Sequence, residues 1–387
     1  MVSDPKIATV RLPMSLSASA TTPAGSLPAR GALPTPDQLE PLGAAAATAD
    51  ELGELQLAQV ALLHRNRWLK MLAPCEFGGD ERPLPDIVRV EEAIAHVDGS
   101  CGWVVTLCAG AGWFAGFLPL ELARRILTTP DVCLAGSGAP TGYADRDGDG
   151  WRLSGRWSHA SGSQIATHFT LNAQLREGGL PVLDHRGHPR VRAFVVPAVA
   201  VLVEPRSWHS VGLRASTSCA FSLREFQIGA DHAFDIDASV ATVPGPLYRF
   251  SFRPLAFVTL TACVVGMARN FVDLAKPLVD RRIAHLDRAS SASAELWRSG
   301  EQSLQAARDA FYAELDRAWR LVERNGRLDT AKEHRLEEMS RALVRVAREV
   351  VDSIYPCCGL HAADPRTDIN RVWRDIHTAT QHALWLR

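Results

Sequence analysis

The chain has 387 residues, 47% of them apolar, with 42 basic and 43 acidic side chains and a formal net charge of −1. That length suits two or three core-bearing units, and the apolar fraction is that of an ordinary globular protein. The interspersed charges exclude a nucleic-acid stripe or a polybasic membrane anchor. Eight cysteines occur without a Cys-x-x-Cys pair, and vicinal Cys357-Cys358 cannot complete a tetrahedral site alone, so no metal centre is expected. Cys101, Cys108, Cys219 and Cys263 stand in apolar runs and read as small buried hydrophobes, and reduced thiols fit a cytoplasmic protein. No basic segment followed by an apolar one opens the chain, and the longest apolar run, 256–267, is too short to span a bilayer.

Residues 1–34 are rich in Ser, Ala, Thr and Pro and read as a disordered arm; deletion of 1–30 is expected to leave folding intact. A helix is expected over 35–65, capped by Thr35 or Asp37 and built on an Ala/Leu/Glu-rich run. Pro74-Cys75-Glu76-Phe77-Gly78-Gly79 then makes a tight loop. Helices at 86–97, at 101–117 (far more apolar) and at 120–127 complete an all-α unit over 35–130.

The period then changes. Short alternating runs at 132–138, 151–157, 169–174, 191–196, 199–204 and 221–228, with turns such as Asp147-Gly148-Asp149-Gly150, predict an antiparallel β-domain over 131–238. Helices follow at 255–278, 292–325 and 330–355, with Asn325-Gly326 as a stop and Asp329 or Thr330 as a cap. A fourth, over 371–382, completes an up-down bundle within 239–387. The fold class is α+β, mainly α, in the order α, β, α. The helix after Ala256 is apolar nearly all round, which predicts packing on a second subunit in a homodimer or homotetramer.

The last helix concentrates chemistry. Arg371 to His382 holds two further polar rows at helical spacing, Asp375, Thr378 and His382 on one face and Arg374, His377 and Gln381 on the next. Taken with the earlier segments in order, it makes residues 35–387 resemble the acyl-CoA dehydrogenase superfamily. Pro74 to Gly79 looks like its "P-x-x-x-G-G" loop, and Asp98 to Trp103 like the "D-x-S-x-x-W" that opens its buried helix. Gly138-Ala139-Pro140-Thr141-Gly142 and Gly155 to Gly162 look like its two flavin-contacting motifs. Gly212 to Ser218 resembles "G-x-R-x-T-x-S", and Arg374-Asp375 its final "R-D". The dehydrogenases place a catalytic Glu where this chain has Ala383. "R-D-x-H-x-x-x-x-H" instead resembles the flavin-dependent two-component monooxygenases built on the same fold.

The resemblance implies a flavin, FAD or reduced FMN, held by Thr141, Trp157, Ser161, Gly162 and Arg374, with His382 and Ser161 as catalytic residues. Reduced flavin passes electrons to O₂, and the activated oxygen escapes as H₂O₂ unless water is excluded and its oxygens are hydrogen-bonded. A serine hydroxyl and a histidine near neutral pKa suit that task. No NAD(P)-binding unit is visible, because no helix opens behind Gly136 to Gly138, so a separate flavin reductase is implied as partner. The substrate expected is a hydrophobic or aromatic small molecule. The alternatives are an acyl thioester dehydrogenase with its base elsewhere and a non-catalytic scaffold on the flavin fold. One departure stands out: the related hydroxylases often carry a further His after "G-W", and Val105 to Trp113 has none.

Overall fold

A computed structural model describes residues 32–283 and 288–385. The arm expected at 1–34 lies almost wholly outside the described residues. The run expected to be one helix is two, α1 (Pro36–Leu52) and α2 (Leu57–Arg65). Gly53 takes the left-handed conformation (φ 74°) that closes α1, its N–H on Ala49 O. Gln56 and Gln59 then cap each other reciprocally to start α2.

Helices α3 (Leu84–Val97), α4 (Gly99–Trp113) and α5 (Leu120–Leu127) follow. The N-terminus of α4 is fixed by Asp98. Its carboxylate accepts Ser100 N at 2.9 Å and Gln59 Nε2 at 2.7 Å, and burial raises its pKa in spite of those bonds.

The sheet comprises β1 (Leu134–Asp147), β2 (Gly150–Ala160), β3 (His168–Glu177), β4 (Leu180–Pro181), β5 (Val191–Pro197), β6 (Leu202–Glu204), β7 (Cys219–Ile228) and β8 (Ala233–Phe234). Among the described residues the order is β6-β7-β2-β1-β3-β5-β8, with β4 beside β3. One pair departs from the antiparallel expectation: β1 and β3 run parallel. The β1–β2 hairpin ends at Ala160, and the following loop carries the chain past β1 to its other edge, so β3 repeats the direction of β1. The β1–β3 register slips between Ser137 and Gly142, which leaves 138–141 out of the ladder and exposed.

After the short α6 (Pro246–Arg249), the long helices α7 (Phe252–Ile283), α8 (Arg288–Asn325) and α9 (Thr330–Ile354) lead through α10 (Leu360–Ala363) to α11 (Asp368–Ala379). Helix α7 is sandwiched by α3, α4, α8, α9 and α11. Gly266 permits this: a Cβ there would stand 2.3 Å from Glu92 O on α3. Buried Glu92 draws in Arg269 of α7 at 2.6 Å and Arg308 of α8 at 2.7 Å, tying the two helical layers together.

Two stretches, Gly99–Phe117 and Phe252–Arg281, prove long and apolar enough to cross a bilayer, contrary to the sequence expectation, but 83% of each apolar window is buried inside the protein. They are core helices here. Burial of α7 within its own chain also accounts for its all-round apolarity, so that feature no longer argues for a second subunit. The last helix stops at Ala379, not His382. Thr380 is the C-cap, its hydroxyl on Ile376 O at 2.9 Å.

Candidate active site

Ser161 follows directly on β2 and is almost fully buried. Its Oγ accepts the indole N–H of Trp103 from α4 at 3.0 Å and shares a proton with Ser218 Oγ at 2.8 Å; Ser218 in turn shares with Ser216 Oγ at 2.8 Å. Gly162 lets this loop lie against α4. It sits at φ 73°, its N–H bonds Ser216 O at 2.8 Å, and a Cβ would meet Cys108 Sγ at 2.7 Å. The result is a hydroxyl chain, Ser216–Ser218–Ser161, anchored at one end by a tryptophan N–H. A hydroxyl offers one proton and two lone pairs, so the chain can run in either direction.

His382 closes over the same tryptophan, edge to face, with ring centroids 5.9 Å apart. Its pKa is lowered by burial, and further by His159, so the imidazole is neutral at neutral pH. The Leu384 N–H points at Nδ1 from 3.3 Å, which favours the tautomer carrying its proton on Nε2. In that form His382 is a neutral hydrogen-bond donor at Nε2. His159, exposed and at φ 65°, stands between His382 and the indole edge of Trp208. His377 turns elsewhere, packed on Trp373 with Nε2 3.1 Å from Asp352.

The other expected residues sit apart from this cluster. Trp157 is wholly buried in the β-domain core, stacked on Phe221, because Trp151, Leu153 and Trp157 all take the inner face of β2. Its ring edge lies against Gly142, at the end of the exposed 138–141 segment. It also supports the outer face through Asn172: its Nε1–H bonds Asn172 O at 2.8 Å, and the Asn172 amide bonds Gly138 O at 2.8 Å. Thr141 lies exposed in the slipped segment with its hydroxyl on Arg156 O at 2.7 Å.

Arg374 is spent on the protein: it pairs with Asp50 at 2.7 Å, donates to Val211 O at 2.6 Å and to Asn370 Oδ1 at 3.0 Å. Neighbouring Asp375 accepts Leu213 N at 2.5 Å; burial pushes its pKa up to about 7 against that bond. Together they hold the loop that leads from Val211 through Leu213 into the serine chain. They position this loop, with Arg374 paired to Asp50 and not to Asp375, while Arg374 also borders an open polar cavity.

Farther along α4 an apolar cavity of about 160 Å³ opens between α4, β1, β3 and α7. Thr106, Leu107, Gly110 and Phe114 line it at helical spacing, one turn and more beyond Trp103 on the same stripe. Phe114, Phe234 and Phe252 form an aromatic wall, with Phe114 5.7 Å from Phe234 and 5.4 Å from Phe252. Ser137, Gly138 and Asn172 make its polar side. A second, polar cavity of about 920 Å³, reached past Gln164 and Thr217, is bordered by Trp208, His209, Arg214 and Arg374.

Trp103, Ser218 and Asn172 were not singled out from the sequence. Trp103 and Ser218 are the closing letters of two of the quoted motifs, so the signal was present. Asn172 carries none, since its role depends on the register of β3 against β1.

An α-domain, a mixed sheet and a helical bundle meeting at a buried serine chain have the acyl-CoA dehydrogenase architecture. Residues 258–386 match the family model described as the acyl-CoA dehydrogenase C-terminal domain. That segment is about a third of the chain, and the chain as a whole is similar to proteins built on this fold. It is 27% identical to indole-3-acetate monooxygenase of Pseudomonas putida over 329 residues, 81% of this chain and 80% of that protein. It is 24% identical to the oxygenase component of the FADH₂-dependent resorcinol hydroxylase of a Rhizobium species, over 86% of this chain and 85% of that protein. Its fold matches the crystal structure of 3-HSA hydroxylase from Rhodococcus sp. RHA1 with a TM-score of 0.82 at 18% identity, covering 90% of this chain and 91% of that one.

Proposed function

We propose that this chain is the oxygenase component of a two-component monooxygenase, using flavin reduced by a separate reductase to hydroxylate a small aromatic molecule. The observation that carries the reading is one stripe of α4. It presents Trp103 to Ser161 and His382, and then Thr106, Gly110 and Phe114 to an aromatic-walled cavity. The donor set fits a flavin: a reversible hydroxyl chain at Ser161, and an exposed backbone segment at 138–141 with open space beside Gly138. When bound, the flavin supplies the electrons that activate O₂.

The chain's own groups do the rest. Ser161 accepts a hydrogen bond when its proton lies toward Ser218, and donates one when the chain reverses. One flavin atom that bears hydrogen only in the reduced ring can thus be held in both states. His382, neutral with its proton on Nε2, donates a hydrogen bond toward the reacting oxygen, and as a neutral ring it keeps the base role open. The apolar cavity excludes water from the reacting pair.

Dehydrogenation of a thioester is the weaker reading. It needs a carboxylate base, and among the described residues lining the cavity there is no Asp or Glu; position 383 is Ala. A homo-oligomer and a cytoplasmic location belong to the proposal on the resemblance and the reduced thiols alone. The test is to supply FADH₂ or reduced FMN with O₂ and a phenol or indole, and to measure hydroxylated product against H₂O₂. Oxygen-independent bleaching of bound flavin by an acyl-CoA, with no hydroxylated product, would overturn the proposal.

A further inference from the structure

Two residues of α4 facing the cavity are unusual for a core helix. Thr106 is 3% exposed and lies at the floor, and its Oγ1 has no hydrogen bond of ordinary geometry; a weak partner, the Cys263 thiol, is beside it. A buried hydroxyl without a partner is costly, so a ligand atom that completes it is favoured. One turn on stands Gly110, in mid-helix, where glycine is the poorest ordinary helix former. Packing does not demand it: a Cβ added at Gly110 would have nothing within 4 Å. The space it leaves belongs to the cavity. By contrast Gly162 and Gly266 are forced by close neighbours.

The dimensions specify an occupant. Residues four apart on a helix are separated by a rise of about 6 Å, close to the length of a six-membered ring with one small substituent. An apolar cavity of about 150 Å³ is known to hold benzene, and this one measures about 160 Å³. The far wall is Phe114, Phe234 and Phe252, suited to edge and face contacts with a ring. Phe252, 39% exposed, stands at the mouth, as does the exposed Gly138.

We infer that the cavity takes a single phenol-like ring or a small fused pair, its hydroxyl or N–H on Thr106 at the floor and its opposite edge over Gly110, which sets the longest substituent admitted. The inference rests on the cavity being the substrate site of the proposed monooxygenase. It assigns Thr106 to polar recognition and Gly110 to size selection.

Calorimetric binding of three probes, phenol, 4-propylphenol and toluene, to the flavin-free protein separates this inference from the oxygenase reading, which the reduced-flavin assay tests independently. Thr106→Val, close to isosteric, should weaken phenol at least fivefold and leave toluene unchanged. Gly110→Val should weaken 4-propylphenol at least tenfold and phenol less than threefold. Gly110→Ala, a better helix former, guards against misfolding: it should melt no lower than wild type and still penalise 4-propylphenol more than phenol. Wild-type protein that binds none of the probes, or variants that weaken all three equally, would overturn the assignment even if hydroxylation of some other substrate is observed.

Discussion

At Trp103, α4 meets a surface in which the donors and acceptors interlock: indole N–H to Ser161, Ser161 to Ser218, Ser218 to Ser216, and the loop bearing them clamped by Asp375 and Arg374. One and two turns later the same face of the same helix meets empty space bounded by rings. The first region is determined by contacts and the second by their absence. A catalytic hydroxyl has to be held to within a fraction of an ångström, and hydrogen bonds to neighbouring elements do this. A cavity for an apolar ring needs only shape, and shape is set by what side chains leave out. Disturbing the first region should therefore cost stability or turnover, whereas disturbing the second should change which molecules bind.

The largest effect is expected where the polar region is anchored. Arg374→Ala leaves Asp50 buried without its cation and frees Val211 O and the Asn370 side chain. Breaking a buried pair on one side costs roughly 3–5 kcal/mol. Urea unfolding should show a loss of that size; a loss under 1 kcal/mol would mean that the loop is held from elsewhere.

Asp375 provides a pH-dependent break in the same clamp. Its pKa is raised from 3.8 to about 7, chiefly by burial. Between those values the folded protein holds a proton that the unfolded chain has released, so this group's contribution to stability falls as pH rises from about 4 to 7. Asn at this position keeps an oxygen for Leu213 N and has no charge to bury. Asp375→Asn should thus gain on wild type with rising pH, by an amount on the order of 4 kcal/mol across that window. Unfolding curves for both proteins at pH 5 and pH 8 check the sign. A difference that does not change with pH would show that Asp375 is ionised throughout.

His382 sits at the boundary of the two regions, and there the effect should move from stability to turnover. His382→Ala should lower hydroxylated product on the order of 10²-fold, the usual scale for losing a positioned hydrogen-bond donor or base, while oxygen uptake continues and H₂O₂ accumulates. Since burial lowers the His382 pKa, wild-type product formation should hold steady through neutral pH and fall only on the acid side of 6.5. Wild-type coupling in the variant would make the residue a bystander.

How much of this was legible follows the same division. Helices at 120–127 and 330–354 and the strand runs around Trp151 and Phe221 were readable because periodicity is a local property. The break at Gly53 was hidden inside an Ala/Leu-rich run of high helix propensity, and the true length of β1 was hidden by Gly136 to Gly142. Alternation could have placed Trp157 on the face of Trp151 and Leu153, but which face carries the core depends on what packs there. The end of α11 before His382 had no local signal, since no Gly or Pro marks it, and the chain beyond it packs His382 on Trp103. Ser161 was found through its motif. Thr106 and Gly110 were not, since nothing in a sequence marks a space.

The smallest expected effect separates the two contacts that Trp103 makes. Its ring packs against His382, and its N–H donates to Ser161. Trp103→Phe keeps an aromatic ring at nearly the same place and removes the donor, so one acceptor site on a buried hydroxyl is left unfilled. A lost hydrogen bond of this kind is worth about 1 kcal/mol, and the smaller ring adds a modest packing loss. The serine chain can respond by reorienting, because Ser161 still shares a proton with Ser218. Melting temperature should therefore drop by only a few degrees, and product formation by roughly fivefold, since about 1 kcal/mol in a barrier changes a rate by that factor. The informative quantity is the ratio of product to H₂O₂. If the indole N–H fixes the direction of the hydroxyl chain, coupling should fall in Trp103→Phe while the acid limb set by His382 stays where it was. If instead the ring contact matters more, the acid limb should move and coupling should hold, and Trp103 would then belong with His382 in place of Ser161.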